Sequence, residues 1–418
     1  MNKRFMLVIL SVFIWLPVFA GNWRVFVYMD SSDDLNDMAI KNITDMIKVG
    51  AKESVDFLIQ LHSYDDKGLR YRVDNKGLSF LDQVVLSGNS KQDFIRAARW
   101  AFSDNNADHT MLICWNHGWG ILDPHWDEHE QEWLASSTAL SNSCVIKRSL
   151  RNVYQKHKRY HFMFSKEPRS YLTNQDLIDG LGYLKEVVLG GKKLDILAFD
   201  TCMGGMLEHA YQVAPYASYL IGNQACSLRD GFNYCGVLTT LNKAPMPRAL
   251  AQHMVQAFDT YYKQHDQEGI YAHTALDLSC IHEVTEALNE VVLLLLRVKD
   301  FGPYLLKAHA LTPRFCLFPM YTDLIAYIKQ VEMQLDSSSP SALEVKQAMQ
   351  NLYAIINKAV VARCAGHSNE GKAHGCAIYL PTYTIDSSYR NTNFARKTLW
   401  IKVLEYLEKH GPLPADNE

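Results

Sequence analysis

An α/β fold with a mostly parallel central sheet, and a helical C-terminal region packed onto it, is what this sequence predicts, and three observations predict it. Short apolar runs rich in β-branched and aromatic residues recur along the chain, and amphipathic segments of helical period separate them. After about Leu250 the helical pattern dominates, yet one late apolar run persists. Strands alternating with amphipathic helices need a sheet covered on both faces, which parallel crossovers supply.

In chain order, residues 1–20 place Lys3 and Arg4 before an apolar run, with Val18 and Ala20 at the small-residue positions of a cleavage site. That pattern predicts a signal peptide, export to a periplasm or the medium, and no stable membrane insertion once the segment is removed. The apolar run is short and contains Pro17, which suits an uncleaved anchor poorly. Strands are expected at 24–29, 55–62, 110–115, 194–199, 218–221 and 274–278, and helices at 35–49, 91–102, 174–188, 206–213 and 250–263. Helical period continues at 281–298, 342–361 and 394–409, around a late strand at 375–381. The organisation read from this is a signal peptide (1–20), an α/β region (21–245) carrying an insertion (123–170), and a mainly helical region (246–418). The insertion runs from acidic and His/Trp-rich to strongly basic, and is far longer than an ordinary connection.

A formal net charge of −3 leaves no basic face for a nucleic-acid partner. Nine cysteines without a CxxC pair fit neither a zinc ribbon nor a dense disulfide scaffold, and the odd count leaves a thiol over in a monomer.

Two strand ends carry the chemistry. MLICWNHGWG (111–120) ends an apolar run on His117-Gly118, and LDILAFDTCMGG (194–205) ends another on Asp200-Thr201-Cys202 followed by glycines. Reactive groups in open parallel sheets gather beyond the carboxyl ends of the strands, so neighbouring strands would bring His117 to Cys202. Such a pair is the minimum for thiol acyl transfer. The backbone N–H groups of Gly118 and Cys202 are the oxyanion candidates. A lone strand-end His, or a Cys in a glycine-rich turn, is more commonly structural; it is the combination that points to catalysis.

These motifs resemble the clostripain family of cysteine peptidases, in the clan that includes caspases and legumain. The similarity extends to NWRVFVYMDSSDDLND (22–37), Cys202-x-x-Gly205-x-x-Glu208, RDGFNY (229–234), CAIYLP (376–381) and the helix bearing Phe394 and Trp400. Met203-Gly204 departs from the family's usual Leu-Met, and Gly222-Asn223-Gln224 stands where an acidic residue is common. The resemblance implies a caspase-like three-layer αβα fold and a Cys202/His117 dyad. It further implies protein or peptide substrates cut after Arg or Lys, with Asp200 and Asp230 as candidate carboxylates of the primary pocket. No cofactor is required, calcium being the one ion that assists some relatives. The expected state is a monomer or a self-cleaved two-fragment complex, with the cut among the basic residues 147–169. Two alternatives compete: a catalytically decayed binding protein on the same scaffold, and a zinc peptidase using the HxxEH at 125–129.

Overall fold

The computed structural model describes residues 21–31, 35–62, 66–127, 132–135, 171–315, 319–336 and 339–411. The signal peptide, most of the insertion and the basic stretch 147–169 lie outside the described residues.

The strands in chain order are β1 (Trp23–Asp30), β2 (Val55–His62), β3 (Lys67–Asp74), β4 (Gly77–Val85), β5 (His109–Trp115), β6 (Pro124–Asp127), β7 (Glu132–Ala135), β8 (Leu194–Asp200), β9 (Ala217–Asn223), β10 (Ala272–Asp277), β11 (Tyr321–Asp323), β12 (Val360–Ala365) and β13 (Ala377–Tyr379). Nine form one sheet in the order β12-β10-β9-β8-β5-β1-β2-β3-β4. From β9 to β2 all neighbours are parallel; β10 and β12 extend the sheet antiparallel on one side, β3 and β4 on the other.

Alternation along the buried strands divides the core. Trp23, Val25, Val27 and Met29 of β1 pack in one layer with helices α1 (Asn36–Val49) and, further along the chain, Tyr234–Leu241 and Pro247–His265. Phe26 and Tyr28 face the opposite layer, with α2 (Ser90–Phe102), α3 (Asn174–Tyr183), α4 (Leu207–Val213) and the helix Ile281–Leu295. Each fully buried large apolar side chain in these layers contributes roughly 1.5–3 kcal/mol. Local signals set the helix starts: Asn89 and Thr173 accept from the N–H groups of Gln92 and Asp176 as N-caps of α2 and α3. No described helix is long and apolar enough to cross a membrane.

Several expectations need correction in detail. The helical reading of 342–361 overruns: the helix ends at Ala359, because Val360–Ala365 pairs with β10 as an edge strand. The period at 394–409 is two helices, Asn393–Lys397 and Trp400–His410, separated by extended backbone at Thr398. The late strand, shortened to β13, joins not the main sheet but a small ladder with β11, and bridges to Met206 at the start of α4.

Candidate active site

The register between β5 and β8 builds the site. Their last paired residues are Trp115 and Asp200, so His117 and Cys202 each stand two residues beyond, on adjacent parallel strands. The two loops then touch. A methyl group on Gly118 would overlap the Cys202 carbonyl oxygen and the Thr201 side chain, so only glycine permits this approach. Gly120, with φ of 65°, turns the same loop against Met206 and Tyr321. The His117 N–H is held by the Asn116 side chain, and the Trp119 carbonyl accepts from the Tyr321 hydroxyl.

On the other strand, Cys202 is followed by Met203 in the left-handed region at φ 55°, where a non-glycine residue stores strain. The Met203 N–H donates to the Ala225 carbonyl at 3.0 Å, and its fully buried side chain holds the turn. The Cys202 Sγ accepts from the Ser227 N–H at 3.3 Å. A hydrogen bond from the Cys226 thiol, that amide and the charge of His117 together hold the Cys202 thiol below its ordinary value, against burial and the Asp200 carboxylate. Among the described residues, the N–H groups of Gly118 and Cys202 donate to no protein acceptor, leaving them available to an oxyanion.

The two candidate pocket carboxylates are placed differently. Asp200 is buried beneath the RDGFNY turn, where its Oδ2 accepts from the Phe232 N–H at 3.1 Å and the Tyr234 hydroxyl at 2.9 Å. Among the described residues its Oδ1 has no hydrogen-bond partner, and burial pushes its pKa up to about 7. Asp230 is half-buried against the helices: its carboxylate accepts from the Tyr261 hydroxyl and lies 3.7 Å from Lys41 Nζ. Asp200 is thus the more deeply buried of the two, and Asp230 the one already beside a cation.

The Gln224 departure has a local cause. This buried amide donates to Asp323 Oδ2 at 2.9 Å and accepts from the Gly375 N–H at 3.0 Å. A carboxylate there would face Asp323 with nothing to donate. Sequence reasoning missed Cys226 and Ser227; a cysteine in a polar turn carries no periodicity to distinguish it. It also missed that Glu208, fully buried, anchors α4 to the C-terminal region by accepting from the Tyr379 N–H at 2.8 Å and the Tyr389 hydroxyl at 3.2 Å.

Of the HxxEH alternative only His125–Asp127 lies within the described residues. Pro124–Asp127 is a β-strand paired with Glu132–Ala135, whereas the motif needs both histidines on one helical face.

Comparison with known proteins bears on the family and the fold. The model of the clostripain family matches residues 172–407. A secreted cysteine protease of Bacteroides thetaiotaomicron in complex with an irreversible peptide inhibitor is similar in structure, with a TM-score of 0.62 at 16% identity, covering 92% of this chain and 99% of that one. A secreted protease of the same organism, iotapain, gives 0.64 at 13% identity with the same coverages. An inactive zymogen protease of Parabacteroides distasonis gives 0.57 at 15% identity, covering 94% of this chain and 98% of that one. No curated protein matches the sequence.

Proposed function

This chain belongs to the clostripain family of cysteine peptidases, and from that premise we propose an exported endopeptidase that cuts after Arg or Lys, with Cys202 as nucleophile and His117 as its proton-transfer partner. The observation that carries the assignment is the register of β5 on β8, which sets His117 and Cys202 side by side with their loops in contact through Gly118.

The Cys202 sulfur attacks the scissile carbonyl carbon, and the carbonyl oxygen takes the negative charge against the N–H groups of Gly118 and Cys202. His117 gives a proton to the leaving amine as the C–N bond breaks. The thioester left on Cys202 is hydrolysed by a water that His117 deprotonates, returning the thiol and releasing the acid. The orphan oxygen of Asp200 supports selection of a basic side chain, since a buried carboxylate gains most from a charge-assisted partner. Asp230 has a supporting part at the pocket rim, its charge already shared with Lys41.

Export is supported by the first twenty residues and by the secreted relatives. Self-processing within 147–169 is supported by the run of Lys and Arg between the catalytic motifs, and the Parabacteroides distasonis relative is described as an inactive zymogen. The test is hydrolysis of a peptide library by the purified protein. Cys202→Ala and His117→Ala are each expected to lower turnover by about 10³-fold or more, and a chelator to leave at least part of the activity. Wild-type turnover in Cys202→Ala, or activity abolished by a chelator and restored only by zinc, overturns the assignment. A library profile led by Asp or large apolar residues overturns the specificity.

A further inference from the structure

The loop after β9 sets a second thiol against the nucleophile. Two hydrogen bonds fasten this loop to the one after β8: Met203 N–H to the Ala225 carbonyl at 3.0 Å, and Ser227 N–H to Cys202 Sγ at 3.3 Å. Cys226 lies between those two anchors, and its side chain hydrogen-bonds the Cys202 sulfur. The β8 and β9 strands are parallel neighbours up to Phe199 and Gly222; beyond them the chain turns at Met203 and runs back along the β9 loop, the N–H groups of Met203 and Gly205 donating to the carbonyls of Ala225 and Asn223. Neighbouring strands are roughly 4.8 Å apart, and a disulfide needs Cα atoms about 4.4–6.8 Å apart with facing side chains.

The thiols also differ in access and reactivity. Cys202 is partly exposed whereas Cys226 is buried, so a dissolved oxidant meets Cys202 first. Burial pushes the Cys114 and Cys364 thiols up to about 12 and raises that of Cys376 as well, which makes them poor nucleophiles; Cys202 is shifted the other way.

We propose that Cys202 and Cys226 form a reversible disulfide on exposure to a peroxide, which switches the peptidase off and shields its nucleophile from irreversible oxidation. The Cys202 thiolate attacks one peroxide oxygen, the O–O bond breaks, and hydroxide leaves, giving a sulfenic acid. The Cys226 sulfur then attacks the Cys202 sulfur; the S–S bond forms, the S–O bond breaks, and the departing hydroxide takes the Cys226 proton as water. Two thiols and one peroxide become a disulfide and two waters, and a dithiol reverses the bond by exchange. The bond itself does not depend on Cys202 being the nucleophile of a peptidase; its effect on activity rests on that reading.

The test treats the purified chain with excess hydrogen peroxide, alkylates remaining thiols, and maps a non-reducing digest by mass, alongside activity before and after dithiothreitol. In wild type a peptide crosslinked between Cys202 and Cys226 is expected, with activity lost and then restored by roughly tenfold or more on reduction. Cys226→Ser, which keeps a donor beside the sulfur, is expected to accumulate sulfinic acid at Cys202 and to regain less than about a tenth of its own starting activity. The proposal is overturned if wild type carries sulfinic acid at Cys202 without the crosslink, if Cys202 bonds another cysteine, or if Cys226→Ser recovers as fully as wild type. A crosslink in a preparation without peptidase activity supports the bond and overturns only the functional reading.

Discussion

At the scale of single residues, Asp200 and Asp230 have the same chemistry and opposite surroundings. Asp230 already shares its charge with Lys41 and Tyr261, while Asp200 has one oxygen unmet in the interior. Asp200→Asn is therefore expected to lower kcat/KM on Arg substrates by about 30-fold or more, and Asp230→Ala by less than about tenfold; the reverse order would remove Asp200 from the pocket. With the Asp200 pKa raised to about 7, the carboxyl of the free protein gains its charge as pH rises through that value. The ratio of kcat/KM for an Arg substrate to that for a neutral citrulline analogue should rise across the same window and lie flat in Asp200→Asn. Stability runs the other way: between the ordinary carboxylate range and about 7 the folded chain holds a proton the unfolded chain has lost, so this group's contribution falls as pH rises. His117 and Cys202 were legible because each ends an unbroken apolar run. The difference between the two aspartates was not, since it is decided by Tyr261, Lys41 and the RDGFNY turn folding over one carboxylate and not the other.

At the scale of elements, the His and Cys loops are a contact pair, and Gly118 is where they meet. Gly118→Ala must push them apart, because the added carbon meets backbone rather than a flexible side-chain end. A loss of about 10²-fold in kcat is expected with far-UV circular dichroism unchanged; wild-type kcat in that variant would show that the contact does not set the geometry. The helix α4 depends in turn on Glu208. Glu208→Ala leaves the Tyr379 N–H and the Tyr389 hydroxyl without an acceptor and is expected to cost about 2–4 kcal/mol in denaturant unfolding. Burial raises the Glu208 pKa to about 7, so below neutrality the carboxyl is mostly uncharged, and at about pH 5.5 Glu208→Gln should cost under about 1 kcal/mol. Equal losses in both variants would place the role in charge rather than in the acceptor. Strands with a buried face on each side were readable as apolar runs, and β2 has the bounds its pattern gave. The β3–β4 pair was not, because most of β4 faces solvent and carries no apolar alternation. The strand β12 was hidden because its β-branched start continues the period of the preceding helix.

At the scale of the whole molecule, the proposed cut in 147–169 has a definite product. Intact-mass measurement should find two fragments in wild type and one chain in Cys202→Ala, and the wild-type fragments should travel together in gel filtration. A single intact chain at full activity would rule out processing as activation. The expectation that the fragments stay together follows from sheet order: β1 to β5 occupy one side and β8, β9, β10 and β12 the other, with a single seam where β5 meets β8. His117 belongs to the first half and Cys202 to the second, so the proposed dyad straddles that seam. The gene could accordingly be divided within the insertion and the halves produced as separate polypeptides. Neither half would hold a complete dyad, and activity would become a second-order readout of their encounter, in the manner of a split reporter. Appending two interacting proteins to the new termini would then make proteolysis proportional to their association.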